Sequence, residues 1–76
     1  MESRLKTVIS SILNLRPQDI GEDTSPANVK NWDSLKQMQI MLAVEEEFGI
    51  QFTDDQIYQL VGYRKIRDAL SSIVSR

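Results

Sequence analysis

The chain has no cysteine and no histidine among its 76 residues, and this limits both its fold and its chemistry. Small domains are commonly held together by disulfides or a structural metal, because they bury only a modest core. Neither a disulfide nor a cysteine–histidine zinc site is available, so its elements must hold together by packing alone. The same absence excludes thiol nucleophiles, Ser-His-Asp triads and histidine bases. We therefore expect a protein that holds or presents a group, and not an enzyme.

Apolar residues recur at helical spacing, and no stretch alternates as a strand would. Residues 4–14 are typical of an amphipathic helix that stops before Pro17, and a long loop covers residues 16–32. Asp33 and Ser34 offer an N-cap for a long second helix, which runs to about Phe48 and is closed by Gly49.

The last third of the chain predicts two more helices. Thr53 and Gln56 fit a capping box at the start of a short third helix, which Gly62 ends. Helical spacing then resumes through Ile66 and Leu70. The sequence thus predicts a single domain over residues 1–76 of the all-α class, a four-helix bundle with three longer helices and one short one.

The second helix has more apolar surface than a surface helix needs. On a helical wheel its apolar residues form two stripes, which together span about twice the usual ~100° arc. Either the helix is sandwiched on both sides within the bundle, or one stripe packs in the core and the other meets a partner. The core stripe is Ile40, Met41, Val44 and Phe48, and the outer stripe is Leu35, Met38 and Leu42.

Charge is unevenly distributed along the chain. Residues 17–55 have nine acids against two lysines, a net charge of −7, whereas the whole chain has −2. An acidic middle repels nucleic acid and anionic lipid and attracts a basic protein partner, although acids also simply keep small domains soluble. Glu45 and Glu46 flank the outer stripe, as expected for docking onto a basic, partly apolar patch or for a solvated face. We expect a cytoplasmic monomer with no nucleic-acid or membrane partner.

Ser34 lies where a helix begins, and this end of a helix favours a phosphate because its backbone N–H groups lack partners. Without a histidine to activate it, Ser34 is a poor nucleophile, but it can accept a group that another enzyme installs. A plain N-cap role for Asp33 or Ser34 explains the same residues.

The segment Asn31 to Leu35 reads Asn-Trp-Asp-Ser-Leu, and Glu-Glu-Glu-Phe-Gly-Ile follows at 45–50. With Phe-Thr-Asp at 52–54, this pattern resembles the acyl carrier protein family over nearly the whole chain. The resemblance implies a bundle of the acyl-carrier type, with a long loop between helices 1 and 2 and 4′-phosphopantetheine joined to Ser34 through a phosphodiester. It implies a carrier that shuttles thioester-bound acyl intermediates between enzymes of fatty acid, polyketide or related biosynthesis, with the working thiol on the prosthetic group.

The resemblance also implies which proteins dock on the second helix. These are a phosphopantetheinyl transferase, an acyl- or aminoacyl-loading ligase or transferase, and downstream synthase enzymes. The implied partner-binding residues are Asp33, Leu35, Met38, Leu42, Glu45 and Glu46.

Several residues depart from the family pattern. Lys36 and Gln39 occupy positions where the family often has acids. Asn31 occupies a position where the family often has glycine, and asparagine tolerates the left-handed backbone conformation better than most residues do. Trp32 replaces a small residue and is expected to pin the loop to the helices. These changes favour a specialised carrier over the housekeeping fatty acid carrier.

Other functions fit parts of the sequence. An aminoacyl or peptidyl carrier would share the fold, and a non-covalent helical adaptor would use the outer stripe and leave Ser34 unmodified. A calcium-binding helix–loop–helix is disfavoured because the loop acids lack the regular spacing that calcium ligands need.

Overall fold

The computed structural model describes residues 1–74, which form four α-helices and no β-strand. The helices are α1 (Glu2–Leu13), α2 (Ser34–Phe48), α3 (Asp54–Gln59) and α4 (Tyr63–Val74), with a short 3-10 turn at Pro17–Asp19. The predicted all-α bundle, with one short helix and a long connection between α1 and α2, is confirmed. The predicted domain of residues 1–76 includes residues 75 and 76, which lie outside the described part.

None of the helices within residues 1–74 combines the length and the apolar character that a bilayer-spanning segment requires.

The ends of α2 and α3 follow the capping chemistry that the sequence predicts. Asp33 precedes α2, and its carboxylate accepts a hydrogen bond from the Lys36 backbone N–H at 2.9 Å. Gly49 ends the helix in the left-handed conformation, with φ of 65°. At α3, Thr53 and Gln56 form the predicted capping box, each side chain accepting from the other's backbone N–H. Local sequence chemistry therefore sets where these two helices begin and where α2 stops.

Asn31 plays a different role from the one expected. Its backbone does not adopt the left-handed conformation; among the non-glycine residues described, only Asn14 has a positive φ, of 59°, at the C-terminal end of α1. Instead the Asn31 side-chain amide donates to the Leu13 carbonyl at 2.9 Å. The last carbonyls of a helix lack partners within it, so this amide ties the loop before α2 to the end of α1.

The core stripe of α2 packs at the centre of the bundle. Ile40, Met41 and Val44 have no exposed surface, while Phe48 is half-buried beneath the Arg4 guanidinium, which lies 4.7 Å from its ring centroid. Residues from the other elements surround this stripe, and the buried apolar ones are Leu5, Ile9, Leu13, Ile20, Trp32, Phe52, Tyr63, Ile66 and Leu70.

The long loop is held against the start of α4. The Tyr63 backbone N–H donates to the Thr24 carbonyl at 2.9 Å, and Gly62 precedes it with φ of 112°. A Cβ at this glycine would meet Ser25 and the Thr24 carbonyl at 3.4 and 3.5 Å, so both its backbone angle and the close approach favour glycine.

Charged groups reinforce the attachment of the loop to α4. Glu22 forms ion pairs with Arg64 and Arg67, and the Arg67 guanidinium is the main cause of the lowered pKa of this carboxyl. The Tyr63 hydroxyl donates to Glu2 at 2.9 Å, and burial followed by this carboxylate raises the pKa of Tyr63 to about 12. The phenol therefore stays neutral at ordinary pH and links α4 to α1.

Methionine-to-alanine substitutions on the two stripes of α2 should lower the free energy of unfolding by different amounts. Met41→Ala should lower the free energy of unfolding by about 2–4 kcal/mol, because it opens a cavity in a fully buried site. Met38→Ala, at the half-buried position of the outer stripe, should cost under about 1 kcal/mol. Urea denaturation followed by circular dichroism measures both values. Equal losses would show that the outer stripe belongs to the core.

Candidate functional site

Ser34 is the first residue of α2, and its side chain is exposed. Its hydroxyl makes no hydrogen bond to any other residue in 1–74. The cap position before it belongs to Asp33, whose carboxylate is engaged by the Lys36 backbone N–H. Ser34 is therefore not needed as a cap, and its hydroxyl is open to an approaching enzyme.

A cleft of about 330 Å³ lies beside Ser34. Its walls come from three segments that are distant in sequence: the long loop, the first turns of α2, and the segment from α3 to α4. Tyr58 on α3 is two-thirds exposed, at 67%. The residues that line the cleft are Pro26, Trp32, Asp33, Ser34, Gln37, Tyr58 and Val61.

Trp32 has the anchoring role predicted for it. Its ring is 4% exposed and belongs to the core cluster, and its indole N–H donates to the Gln37 side-chain oxygen at 2.9 Å. The same residue also lines the cleft beside Ser34. Anchoring the loop and shaping the cleft are thus done by one side chain.

Gln37 is a structural residue that the sequence analysis missed. It is 7% exposed, and its side-chain nitrogen donates to the carbonyls of Ile57 and Leu60, both at 2.9 Å. Position 37 lies in the middle of the core stripe on the helical wheel, three residues before Ile40. A polar residue at the centre of an apolar stripe is the signal that could have identified it.

The outer stripe is not covered by the rest of the described chain. Leu35 is 64% exposed and Leu42 is 50% exposed, whereas Met38 between them is half-buried. The alternative in which α2 is sandwiched on both sides is therefore wrong for Leu35 and Leu42. Exposed leucines on one helix face, next to acids, leave an apolar surface available for a partner.

The three successive glutamates of α2 have three different environments. Glu45 is half-buried, and its carboxylate accepts the Phe52 backbone N–H at 2.7 Å, which holds the segment after α2 in place. Glu47 pairs with Arg4 of α1 at 2.8 Å. Glu46 is exposed and makes no ion pair within residues 1–74. Of the two glutamates expected to contact a partner, Glu46 is the one whose charge is uncommitted.

A phosphate-linked group fits this arrangement. The attachment atom must be reachable, and the Ser34 hydroxyl is exposed and unbonded at the N-terminal end of a fifteen-residue helix. Backbone N–H groups at that end favour a negative charge. The adjoining cleft leaves room beside this hydroxyl.

Comparison with known proteins identifies the family of this chain. The family model described as the phosphopantetheine attachment site matches residues 3–70. The chain belongs to the acyl carrier protein family. Acyl carrier proteins from two subspecies of Buchnera aphidicola are each 31% identical to it, covering 95% of the chain and 91% of the relative in one, and 97% and 95% in the other. The acyl carrier protein of Thermosynechococcus vestitus is 26% identical, over 95% of the chain and 89% of its own length.

Membership in this family settles the class of protein. The chain is a carrier and not an enzyme, and its prosthetic group is 4′-phosphopantetheine. Its lack of cysteine is consistent with this class, because the cofactor and not the polypeptide supplies the reactive thiol.

The different environments of the glutamates predict different costs for one substitution. Glu45→Ala should lower the free energy of unfolding by about 1–2 kcal/mol, because the half-buried Phe52 N–H loses its acceptor. Glu46→Ala should change it by less than about 0.5 kcal/mol, since the side chain is exposed. Thermal and urea unfolding of the two variants give the comparison. If Glu46→Ala proved the more costly, the role assigned to Glu45 would be wrong.

Proposed function

We propose that Ser34 is the residue that carries 4′-phosphopantetheine, and that the chain moves acyl groups between biosynthetic enzymes. The observation that supports this most directly is the exposed, unbonded Ser34 hydroxyl at the start of α2. When attached, the prosthetic group supplies a thiol that holds acyl groups as thioesters.

Attachment requires a base that accepts the proton of the Ser34 hydroxyl. The Ser34 oxygen attacks a phosphorus of the coenzyme A pyrophosphate, a phosphodiester forms, the pyrophosphate P–O bond breaks, and adenosine bisphosphate leaves. The hydroxyl proton has no histidine to accept it, because the chain has none. We therefore assign the base to a phosphopantetheinyl transferase, while the chain contributes the exposed hydroxyl and the N-terminal end of α2.

Modification of Ser34 can be tested directly. Incubation of the apo chain with coenzyme A and a broad-specificity phosphopantetheinyl transferase should add one phosphopantetheinyl mass, measured on the intact protein. Ser34→Ala should abolish the addition without changing the circular dichroism spectrum, because the side chain makes no contact that holds the fold. Ser11→Ala, at an exposed serine of α1, is the matched control and should be modified normally. Addition to the Ser34→Ala variant would show that the group is attached to another residue. No addition to the wild-type chain or to Ser11→Ala would favour a non-covalent adaptor.

We propose that partner enzymes dock on the outer stripe together with Asp33 and Glu46. The stripe offers exposed Leu35 and Leu42, and Glu46 adds a charge that no cation of residues 1–74 neutralises. A small apolar surface with an acidic rim suits the brief, modest-affinity contacts of a shuttle. Glu45 belongs at the edge of this surface, with part of its carboxylate engaged by the Phe52 N–H.

The start of α2 favours a specialised carrier within the family. Lys36 is half-buried and Gln39 is exposed on the helix that bears Ser34, where an acidic pair would make the surface more negative. A partner enzyme with a strongly basic docking face would favour a more negative helix start on its carrier. We therefore infer that the partners of this chain have docking faces that are less basic.

Docking on the outer stripe predicts a defined loss. Leu42→Glu should lower the kcat/KM of the transferase by about tenfold or more, which corresponds to roughly 1.4 kcal/mol of lost contact. The melting temperature should stay within about 3 °C, since Leu42 is half-exposed. Val74→Glu introduces the same charge at an apolar position of α4 with similar exposure, 47% against 50%, and should leave kcat/KM unchanged. If both variants had a similar kcat/KM, the outer stripe would not be part of the docking interface.

A further inference from the structure

Gln37 lies between the cleft beside Ser34 and the apolar core. Gln37 lines the cleft beside Ser34, one turn further along α2. The next residue on the same stripe is Ile40, which has no exposed surface. A group that passes from this cleft into the core between α2 and α3 has to move Gln37 or the Trp32 ring that is bonded to it.

Gln37 is held in place from two sides. Its oxygen accepts the Trp32 indole N–H, and its nitrogen donates to the carbonyls of Ile57 and Leu60, each at 2.9 Å. The two carbonyls lie at the C-terminal end of α3, where helix carbonyls have no partner within the helix. The amide thus joins α2, the long loop and the end of α3 in one buried hydrogen-bonded group.

Displacing this amide leaves several polar groups without partners at once. The indole N–H, two backbone carbonyls and the amide itself would all lose hydrogen bonds, and buried polar groups without partners cost more than a hydrogen bond contributes. An alkyl chain gains a roughly constant free energy for each methylene that it buries. Because several buried groups lose partners at once, an acyl group of up to about eight carbons buries too few methylenes to offset the opening, and a polar one gains less still.

The cleft outside this barrier offers another place for a small group. Its volume of about 330 Å³ lies at the small end of ligand sites, and its lining combines apolar surface from Trp32, Tyr58 and Val61 with polar groups from Asp33 and Gln37. A short acyl group with a polar end fits such a lining, whereas a long alkyl chain would project into water.

We propose that Gln37 is a latch that closes the route from Ser34 to the core, and that the chain therefore carries short or polar acyl groups, which rest in the cleft. This inference rests on the proposed function, because it assumes a group tethered at Ser34. Gln37 is a positioning residue and takes no part in forming the thioester.

The test compares tethered groups of two lengths. Acetyl-coenzyme A and octanoyl-coenzyme A serve as donors for a broad-specificity transferase, and intact mass confirms each product. Wild type, Gln37→Met and Gln39→Met are compared by melting temperature and by the NMR shift of the Val44 methyl groups. Methionine has a similar length but no hydrogen-bonding amide, and Gln39→Met makes the same substitution at an exposed position of α2.

In wild type and Gln39→Met we expect the octanoyl form to melt within about 1 °C of the acetyl form, with Val44 unshifted. In Gln37→Met the octanoyl form should melt about 4 °C or more above the acetyl form, with Val44 shifted, because the chain enters the core. A general loss of stability would lower both forms equally and would not produce this difference. A shifted Val44 in octanoylated wild type, or no difference between the forms of Gln37→Met, would overturn the latch.

The latch can still be tested if the variant does not fold or if the transferase does not modify the chain. If Gln37→Met does not fold, the wild-type comparison alone decides, since the latch requires Val44 to be insensitive to the octanoyl group. If no mass is added at all, Ser34 is not an acceptor and the proposed function fails, but the latch remains testable. Because the chain has no cysteine, Ser34→Cys then provides a single thiol to which acetyl- and octyl-bearing iodoacetamides can be attached through the same linker.

Discussion

The burial of one stripe of α2 is the interaction on which the rest of the structure depends. Ile40, Met41 and Val44 are fully enclosed, so the rotation of α2 about its axis is determined by packing. That rotation turns Leu35 and Leu42 outward. The exposed surface proposed for docking therefore exists because the core has fixed the opposite face of the same helix.

The long loop fixes the position of Ser34, the proposed attachment residue, although the loop has little regular structure. It is tied to the end of α1 through Asn31, to α4 through Thr24 and Glu22, and to α2 through Trp32. These contacts come from several helices, so the loop cannot shift without breaking polar contacts in more than one place. Ser34 thereby begins α2 at a defined point and remains exposed. In the proposed function, a phosphopantetheinyl transferase must reach this hydroxyl, and a fixed, exposed position makes that possible.

The features that sequence could predict are those that depend on near neighbours. Asp33, Gly49, and Thr53 with Gln56 mark helix ends through bonds that span at most four residues, and all of them are found as expected. The two stripes of α2 follow from helical geometry alone, and the exposure of Ser34 follows from its place after a loop.

Features that need a distant partner could not be predicted in the same way. Gln37 is buried because α3 presents two free carbonyls twenty or more residues away, at Ile57 and Leu60. Asn31 donates to a carbonyl of α1, and Glu45 accepts from Phe52 beyond the end of its own helix. In each case the residue type permits several roles, and only the tertiary arrangement selects one. The single tryptophan of the chain, Trp32, is bonded to Gln37 and forms part of the cleft wall, so its ultraviolet emission is an intrinsic optical signal for what occupies the space next to Ser34, without any added dye.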